Sequence, residues 1–271
     1  MTYSARELSA ADGRPIELYE FRREGQIWRY TSSDSSVTFS AVTYEPAVIE
    51  RGTLEQGSEM NRTALSLTVQ RDLPVVELYQ AGPPSDVITL TLRQLHIDDS
   101  EARLLWSGRI ITVTTWDQGR AKMTLEPVYT SLRRNGLRRI YQRQCPHLLY
   151  GVDCRVSNAA FRVVGETTSV SGLVIQMNEA AAFPVNWFSG GYLEWLIAVG
   201  IYERRFIEAH DGASLTCTVT PIGLTVGTEL RVYPGCNHLL ATCNSKFNNA
   251  INYGGMPYIP TKNPFDGSPI Y

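Results

Sequence analysis

Residues 231–243 read RVYPGCNHLLATC and place two of the chain's five cysteines directly after a Pro-Gly turn. Six residues separate Cys236 from Cys243. An earlier stretch, CPHLLYGVDC at residues 145–154, separates Cys145 from Cys154 by eight residues and repeats the Cys-x-His-Leu-Leu pattern. Two cysteine loops of similar build, brought together across a strand-rich insertion, can supply the four thiolates of a tetrahedral metal site. This spacing predicts a C-terminal domain stapled by a metal.

The spacing leaves the metal open, because four thiolates accept either Zn²⁺ or an iron–sulfur cluster. His147 and His238 each lie two positions after a cysteine. As ligands they would make a mixed cysteine–histidine zinc site, and otherwise they would support the ligands or face solvent. Cys217 lies in the alternating stretch SLTCTVT and is predicted to be a buried thiol of a strand core, outside the ligand set.

The composition is that of a globular protein without an excess of basic residues. The 271 residues are 43% hydrophobic and 19% charged, with a formal net charge of −2. Such values are typical of globular domains and do not favour generic binding to nucleic acid.

The N-terminal stretch MTYSARELSAADGRP lacks an apolar core, and YLEWLIAVGIY is too short to span a bilayer, so we predict no signal peptide and no transmembrane segment. Thiols in a cytoplasm stay reduced, so the cysteines point to metal or catalysis.

The N-terminal half has the pattern of antiparallel strands. Leu65, Leu67 and Val69 alternate with polar residues, and residues 87–95 show the same period of two. Residues 104–128 predict a hairpin with its turn at 117–119, and VTFSAVTY at residues 37–44 predicts one strand. A helix is expected within LPVVELYQA, before the prolines of GPPSD.

The C-terminal half predicts a second β-rich domain, a small barrel or sandwich, followed by a short helix within NSKFNNAIN. Hairpin turns are expected at Gly190-Gly191 and at Asp211-Gly212. We place the N-terminal domain at residues 1–135 and the C-terminal domain at 136–271, joined by an arginine-rich linker. The arginines of that linker form either a solvated basic face or a counter-charge for an anionic site nearby; they are Arg133, Arg134, Arg138, Arg139 and Arg143.

The cysteine segments, together with the closing stretch through Tyr253-Gly254-Gly255 to Pro260, resemble one known family. It is the family of tail-tip hub proteins of long-tailed phages and gene-transfer agents, to which the lambda tail-tip L protein belongs. Both cysteine spacings match, as do Lys246-Phe247 and Asn249. The resemblance covers roughly residues 140–260, and for the N-terminal half it rests on compatible length and β content.

The resemblance implies a non-enzymatic structural subunit of the virion tail tip or baseplate hub, made in the host cytoplasm and assembled as a homotrimer. It implies contacts with the distal tail protein, the tape-measure protein and the central, receptor-binding fibre. It also implies a [4Fe-4S] cluster on Cys145, Cys154, Cys236 and Cys243. The insertion between Cys154 and Cys236 is longer than in the lambda protein.

A zinc-binding enzyme or a tail-associated hydrolase is the alternative. The sequence has no His-Glu-x-x-His helix, and a closed four-ligand site would leave no open position for a substrate. No local nucleophile signature surrounds any cysteine. We therefore predict a protein that is not an enzyme.

Overall fold

The computed structural model describes residues 3–9, 13–54, 64–80, 82–97, 99–115, 119–132 and 140–260. The chain forms two compact units, Met1–Arg134 and Asn135–Tyr271. Both are built mostly from antiparallel strands, so the predicted mainly β fold is confirmed. None of the described helices is long and apolar enough to cross a membrane.

The first unit is a nine-stranded sheet. Its strands are β1 (Pro15–Arg23), β2 (Gln26–Thr31), β3 (Val37–Phe39), β4 (Val42–Pro46), β5 (Ile49–Arg51), β6 (Leu65–Gln70), β7 (Thr89–His96), β8 (Ala102–Thr115) and β9 (Arg120–Pro127). They are arranged in the order β3-β4-β2-β1-β7-β8-β9-β6-β5, and all pairs are antiparallel except β2 with β4. Among the described residues, two short α-helices accompany the sheet, α1 (Tyr3–Glu7) and α2 (Pro74–Glu77).

The predicted alternation of apolar and polar residues along the strands determines which side chains form the core of this unit. Leu65, Leu67 and Val69 on β6 are buried, while Ser66 and Thr68 between them are only partly covered. Side chains of successive strand residues point to opposite faces, so one face of β6 packs into the core. Leu90 and Leu92 of β7 are buried in the same cluster. Truncating such a leucine to alanine typically costs about 2–5 kcal/mol.

The observed elements of the first unit differ from the predicted ones at one hairpin and one helix. Residues 37–44 form a hairpin of two strands, β3 and β4, where one strand was predicted. Ser40 and Ala41 at the turn adopt positive φ values of 50° and 61° without the glycine that usually signals such a turn. The helix expected within residues 73–81 is present as α2, and α1 was not predicted. Of the expected hairpin turn at 117–119, residues 117 and 118 lie outside the described residues, as do Arg133, Arg134, Arg138 and Arg139.

The second unit contains a closed six-stranded barrel, which selects the barrel from the two predicted alternatives. Its strands are β10 (Val163–Ser171), β11 (Val174–Met177), β12 (Tyr192–Ala198), β13 (Ile201–Asp211), β14 (Ser214–Cys217) and β15 (Glu229–Tyr233). They are arranged in the order β10-β11-β14-β13-β12-β15, and β15 pairs with β10 to close the barrel. Among the described residues, the unit also has two α-helices, α3 (Asn158–Phe161) and α4 (Leu240–Phe247), and a 3₁₀ turn at Ala250–Asn252 after α4.

The turn expected at Gly190-Gly191 is not a hairpin. These glycines end the crossover that leads from β11 to β12, and a Cβ on Gly191 would lie 2.0 Å from the carbonyl oxygen of Tyr233. A turn is nevertheless present, because Gly190 has a φ of 76° and the amide of Gly191 donates to the carbonyl of Phe188 over 2.9 Å. The close approach of two backbones explains the second glycine, Gly191. Asp211-Gly212 does form the predicted turn, between β13 and β14. Cys217 is fully buried on β14, as predicted.

Polar groups are also buried in the barrel. Arg205 forms an ion pair with Glu203, and its guanidinium lies 5.8 Å from the ring centroid of Trp195. Tyr233 donates a 2.6 Å hydrogen bond to Glu194, whose other oxygen accepts one from Arg204. Because each buried charge has a partner, the barrel avoids the large penalty of an isolated ion.

Candidate metal centre

The four predicted ligand cysteines line one cavity beside the barrel. Cys145 and Cys154 lie in the irregular segment before α3, Cys236 follows β15, and Cys243 lies on α4. The cavity encloses about 20 Å³, more than the space needed for a water molecule. All four thiols are free of disulfides. The structure thus brings together both cysteine loops, which are far apart along the chain.

Each sulfur is hydrogen-bonded to a nearby group. The backbone amide of His238 donates to Cys236 Sγ over 3.3 Å, and that of Gly254 donates to Cys145 Sγ over 3.4 Å. The side-chain amide of Asn249 lies 3.8 Å from Cys154 Sγ. Cys243 donates its thiol proton to the carbonyl oxygen of Asn249. Hydrogen bonds from N–H groups stabilise sulfur when it carries negative charge as a metal ligand.

Backbone contacts fix the two cysteine loops against each other. The amide of Cys145 donates to the carbonyl oxygen of His238 over 2.9 Å. The hydroxyl of Tyr253 donates to the carbonyl of Arg143 over 2.7 Å and lies 3.1 Å from the carbonyl oxygen of His238, so its one proton is shared between them. The first loop, the second loop and the segment after α4 therefore form one interlocked structure around the cavity.

The inner wall of the cavity is apolar. Cys154 and Cys243 are buried, and they pack with Val156 and Phe247, while Cys145 and Cys236 are only half-buried. Tyr150 completes this wall, and its hydroxyl donates a 2.7 Å hydrogen bond to the carbonyl of Pro234. The site therefore has a closed inner side at Cys154 and Cys243 and a more open side at Cys145 and Cys236.

The surroundings of Cys236 and Cys243 favour the protonated form of these two thiols. Burial, followed by the charges of the neighbouring cysteines, raises the pKa of Cys243 to about 11. Burial also raises the pKa of Cys236, although the amide of His238 acts in the opposite direction. A metal that binds thiolates must displace these protons, so metal binding at this site releases protons and is favoured at higher pH.

The predicted supporting residues divide into three groups. His147 lines the cavity, with Nδ1 3.1 Å from the carbonyl oxygen of Asn252, and that contact requires Nδ1 to carry the proton. His238 also lines the cavity and contributes its backbone to both loops. Arg143 is exposed and donates to the carbonyl of Pro257, and Arg138 and Arg139 lie outside the described residues.

Cys217 is separate from this centre. It lies in the barrel core, where burial raises the pKa of its thiol to about 11. A nucleophilic cysteine needs a lowered pKa and some exposure. Cys217 has neither property, which argues against a cysteine peptidase centred on it.

The structure adds residues whose roles the spacing of the cysteines did not reveal. Lys246 on α4 donates to the carbonyls of Trp187 and Gly235, with Nζ 4.6 Å from the centroid of the Trp187 ring. It has no ion pair with a carboxylate among the described residues. Burial lowers its pKa to about 8. Lys246 and Asn249 were part of the family resemblance, but nothing local in the sequence assigned them a role.

The donor set can be tested against the two predicted occupants. Both Zn²⁺ and a [4Fe-4S] cluster can be held by four thiolates. Among the described residues, no three side chains of His, Cys, Asp or Glu form a group that could hold a metal ion as they stand. Four free thiols around one cavity, with amide donors directed at sulfur, match the chemistry of that donor set.

The fold and this centre define a class of protein, a β-sheet unit followed by a barrel that carries a cysteine-lined cavity. The family model described as "Baseplate hub protein, N-terminal attachment domain" matches residues 17–157, slightly more than half of the chain. The chain therefore belongs to this family of baseplate hub proteins and is a structural protein of a phage tail or baseplate. A second model, "Phage conserved hypothetical protein BR0599", matches residues 186–263. The first match contains Cys145 and Cys154, and the second contains Cys236 and Cys243.

Two individual proteins extend the comparison. A protein of Xylella fastidiosa (strain 9a5c), described as uncharacterized, is 27% identical over 191 residues, which are 64% of this chain and 39% of the relative. The chain thus spans less than half the length of that relative. A chain from the virion of a native gene transfer agent particle superposes with a TM-score of 0.79 at 19% identity, covering 100% of this chain and 99% of that one. At that identity the superposition establishes the fold.

Proposed function

We propose that this chain is the hub subunit at the tail tip of a long-tailed phage or related particle, similar to the lambda L protein, and that it is not an enzyme. Family membership through residues 17–157 supports the hub assignment, and the fold shared with a chain of a gene-transfer-agent virion supports a location in the virion tail. The hub is a homotrimer that joins the distal tail protein and the tape-measure protein to the central fibre.

The C-terminal unit holds a structural [4Fe-4S] cluster on Cys145, Cys154, Cys236 and Cys243. The observation that carries this proposal is that both cysteine loops line one cavity, with amide donors directed at their sulfurs. When bound, the cluster supplies a cross-link between the segment before the barrel and the segment after it. Closing such a long loop restricts the unfolded chain, and metal binding adds directly to folding stability.

The site also contains a candidate counter-charge. Four thiolates give the bound cluster a net negative charge, which needs compensation where it is partly buried. Lys246 is a cation without a carboxylate partner among the described residues, and its ammonium group is directed at the carbonyl of Gly235, the residue before Cys236. Arg143 lies two residues before Cys145 and adds positive charge on the exposed side.

Metal analysis of protein purified without oxygen tests the cluster. We expect iron and sulfide in equal amounts and a brown colour from the wild-type protein. Replacing any one of the four ligand cysteines with serine should remove most of the iron, whereas Cys217→Ser, the matched control, should retain it. One zinc per chain without sulfide would refute the cluster and favour the zinc alternative. Iron lost from the Cys217 variant but kept by the Cys145 variant would refute the ligand assignment.

Imaging of isolated particles tests the assembly. A hub that lines the tail axis should appear as three symmetry-related copies, with the large interfaces that obligate oligomers form. Six copies, or one copy, at the tail tip would contradict the trimer. Particles in which this chain lies outside the tail would contradict the hub assignment itself.

A further inference from the structure

Asn249 is a buried polar residue between helix α4 and the 3₁₀ turn at Ala250–Asn252. A buried side-chain amide is stable only where its hydrogen bonds are made, because burying an unpaired one carries a desolvation penalty. All of the contacts that Asn249 makes with its side chain and carbonyl lead to two cysteines of the candidate centre or to the adjacent turn. This concentration of contacts distinguishes it from the other asparagines of the segment.

The side chain of Asn249 holds the first cysteine loop. Its Nδ2 donates to the carbonyl oxygen of Cys154 over 2.6 Å and lies 3.8 Å from Cys154 Sγ. These two residues are 95 positions apart in the chain. The contact therefore joins the segment before the barrel to the segment after it.

The backbone of Asn249 holds the second loop. Its amide donates to the carbonyl of Cys243 over 3.1 Å, and its carbonyl accepts the thiol proton of Cys243 over 3.3 Å. Cys154 and Cys243 are the two buried cysteines of the cavity. Asn249 thus contacts both cysteines of the closed inner side.

A neighbour fixes the orientation of the Asn249 amide. Asn252 donates from its Nδ2 to Asn249 Oδ1 over 2.6 Å, so Oδ1 faces Asn252 and Nδ2 faces Cys154. The carbonyl of Asn252 in turn accepts from His147. The Nδ2 group of Asn249 is therefore oriented toward Cys154 in the metal-free protein.

We infer that the side chain of Asn249 is a positioning group for the cluster: it presets Cys154 on the inner side and donates a hydrogen bond to the sulfur of Cys154. The inference rests on the proposed cluster. A donor aimed at a ligating sulfur stabilises its negative charge and raises the reduction potential of the cluster. Partners of metal ligands at this distance typically change metal retention by about 10–100-fold.

Asn249→Asp is the sharpest variant, because it has the same shape but replaces the donor with a second acceptor facing the carbonyl and sulfur of Cys154. We expect iron loss to a chelator to be about tenfold faster or more, and the reduction potential of the retained cluster to fall. Asn249→Ser, which keeps the backbone contacts but cannot reach Cys154, should show the same direction of change. The matched control is Asn248→Gly, since Asn248 is exposed and its φ of 48° suits glycine.

The readouts separate this inference from the cluster proposal. If the wild-type protein holds a cluster and the Asp and Ser variants match it in iron loss and reduction potential, the positioning role is wrong while the cluster stands. A wild-type protein without iron and sulfide overturns the cluster and the positioning role together. If Asn249→Asp does not fold, as judged by circular dichroism, the Ser variant decides the question.

Discussion

Gly254 donates its backbone amide to the sulfur of Cys145, 109 residues earlier in the chain, over 3.4 Å. The backbone of Gly254 can lie this close to Cys145 and to the ring of His147 because glycine has no side chain. A Cβ on it would lie 2.3 Å from Nε2 of His147, so the histidine ring occupies the space where a side chain would be. One glycine thereby allows both the hydrogen bond to sulfur and the packing of a ring against the cavity.

Gly254→Ala should weaken the candidate centre. The added methyl group must displace either the His147 ring or the amide that bonds to Cys145, because 2.3 Å is far inside contact distance. We expect iron retention to fall by about tenfold, as for other partners of metal ligands, measured by timed chelation. Gly13→Ala is the control, since a Cβ there meets its nearest atom at 3.4 Å. Equal retention by the two variants would show that the Gly254 contact is dispensable.

Cys217 should make the stability of the C-terminal unit fall at alkaline pH. Burial raises the pKa of its thiol from 9.0 to about 11 in the folded protein. Between these values the unfolded chain loses its proton first, so the stabilisation present below pH 9 disappears as the pH rises toward 11. The expected loss is about 3 kcal/mol at most.

Cys217→Val removes this titration while preserving the size of the side chain. Denaturant unfolding at several pH values should give a flatter profile above pH 9 for the variant than for the wild type. Both proteins should be freed of metal first, so that loss of metal does not contribute to the pH profile and the other four cysteines titrate alike in both. Parallel profiles for the two proteins would contradict the assignment to Cys217.

Lys246→Met tests the counter-charge. In metal-free protein the variant should be within about 1 kcal/mol of the wild type at pH 7, because replacing a poorly solvated charge by an apolar chain of similar length is often neutral. With the cluster bound, the lost positive charge should speed iron release severalfold. Lys122→Met, at an exposed position of β9, is the control. If Lys246→Met greatly lowers the free energy of unfolding of the metal-free protein and leaves iron release unchanged, the role of Lys246 is to hold α4 in place and not to balance charge.

Tyr233→Phe should destabilise the barrel by about 1.5–3 kcal/mol, the range for hydrogen bonds to charged groups. The hydroxyl of Tyr233 donates to the buried carboxylate of Glu194 over 2.6 Å. Burial and this carboxylate raise the pKa of Tyr233, so the phenol stays protonated. Tyr258→Phe, at a side chain that is 90% exposed, should leave the free energy of unfolding unchanged. Similar unfolding curves for the two variants would contradict a role for the Tyr233 hydroxyl.

Sequence patterns predicted the strands where burial on one face imposes a period of two. Leu65, Leu67 and Val69 show this, and so does the buried thiol of Cys217. The pattern failed where the chain turns without a signalling residue, as at Ser40-Ala41. At Gly190-Gly191 the pattern predicted the turn but not its setting: Gly190 forms a turn that joins no hairpin, and Gly191 is required by contact with the backbone of Tyr233.

The sequence by itself determined that the protein is mainly β and that four cysteines in two similar loops are candidates for one metal site, because alternation and spacing are local properties. Only the tertiary structure decided that the barrel closes through β10 and β15, and that Asn249 and Gly254 contact the cysteine sulfurs. These contacts join residues 95 and 109 positions apart. They form because β10 and β15, the first and last strands of the barrel, are paired and so bring the two cysteine loops together. No local pattern of residues in the sequence shows this pairing.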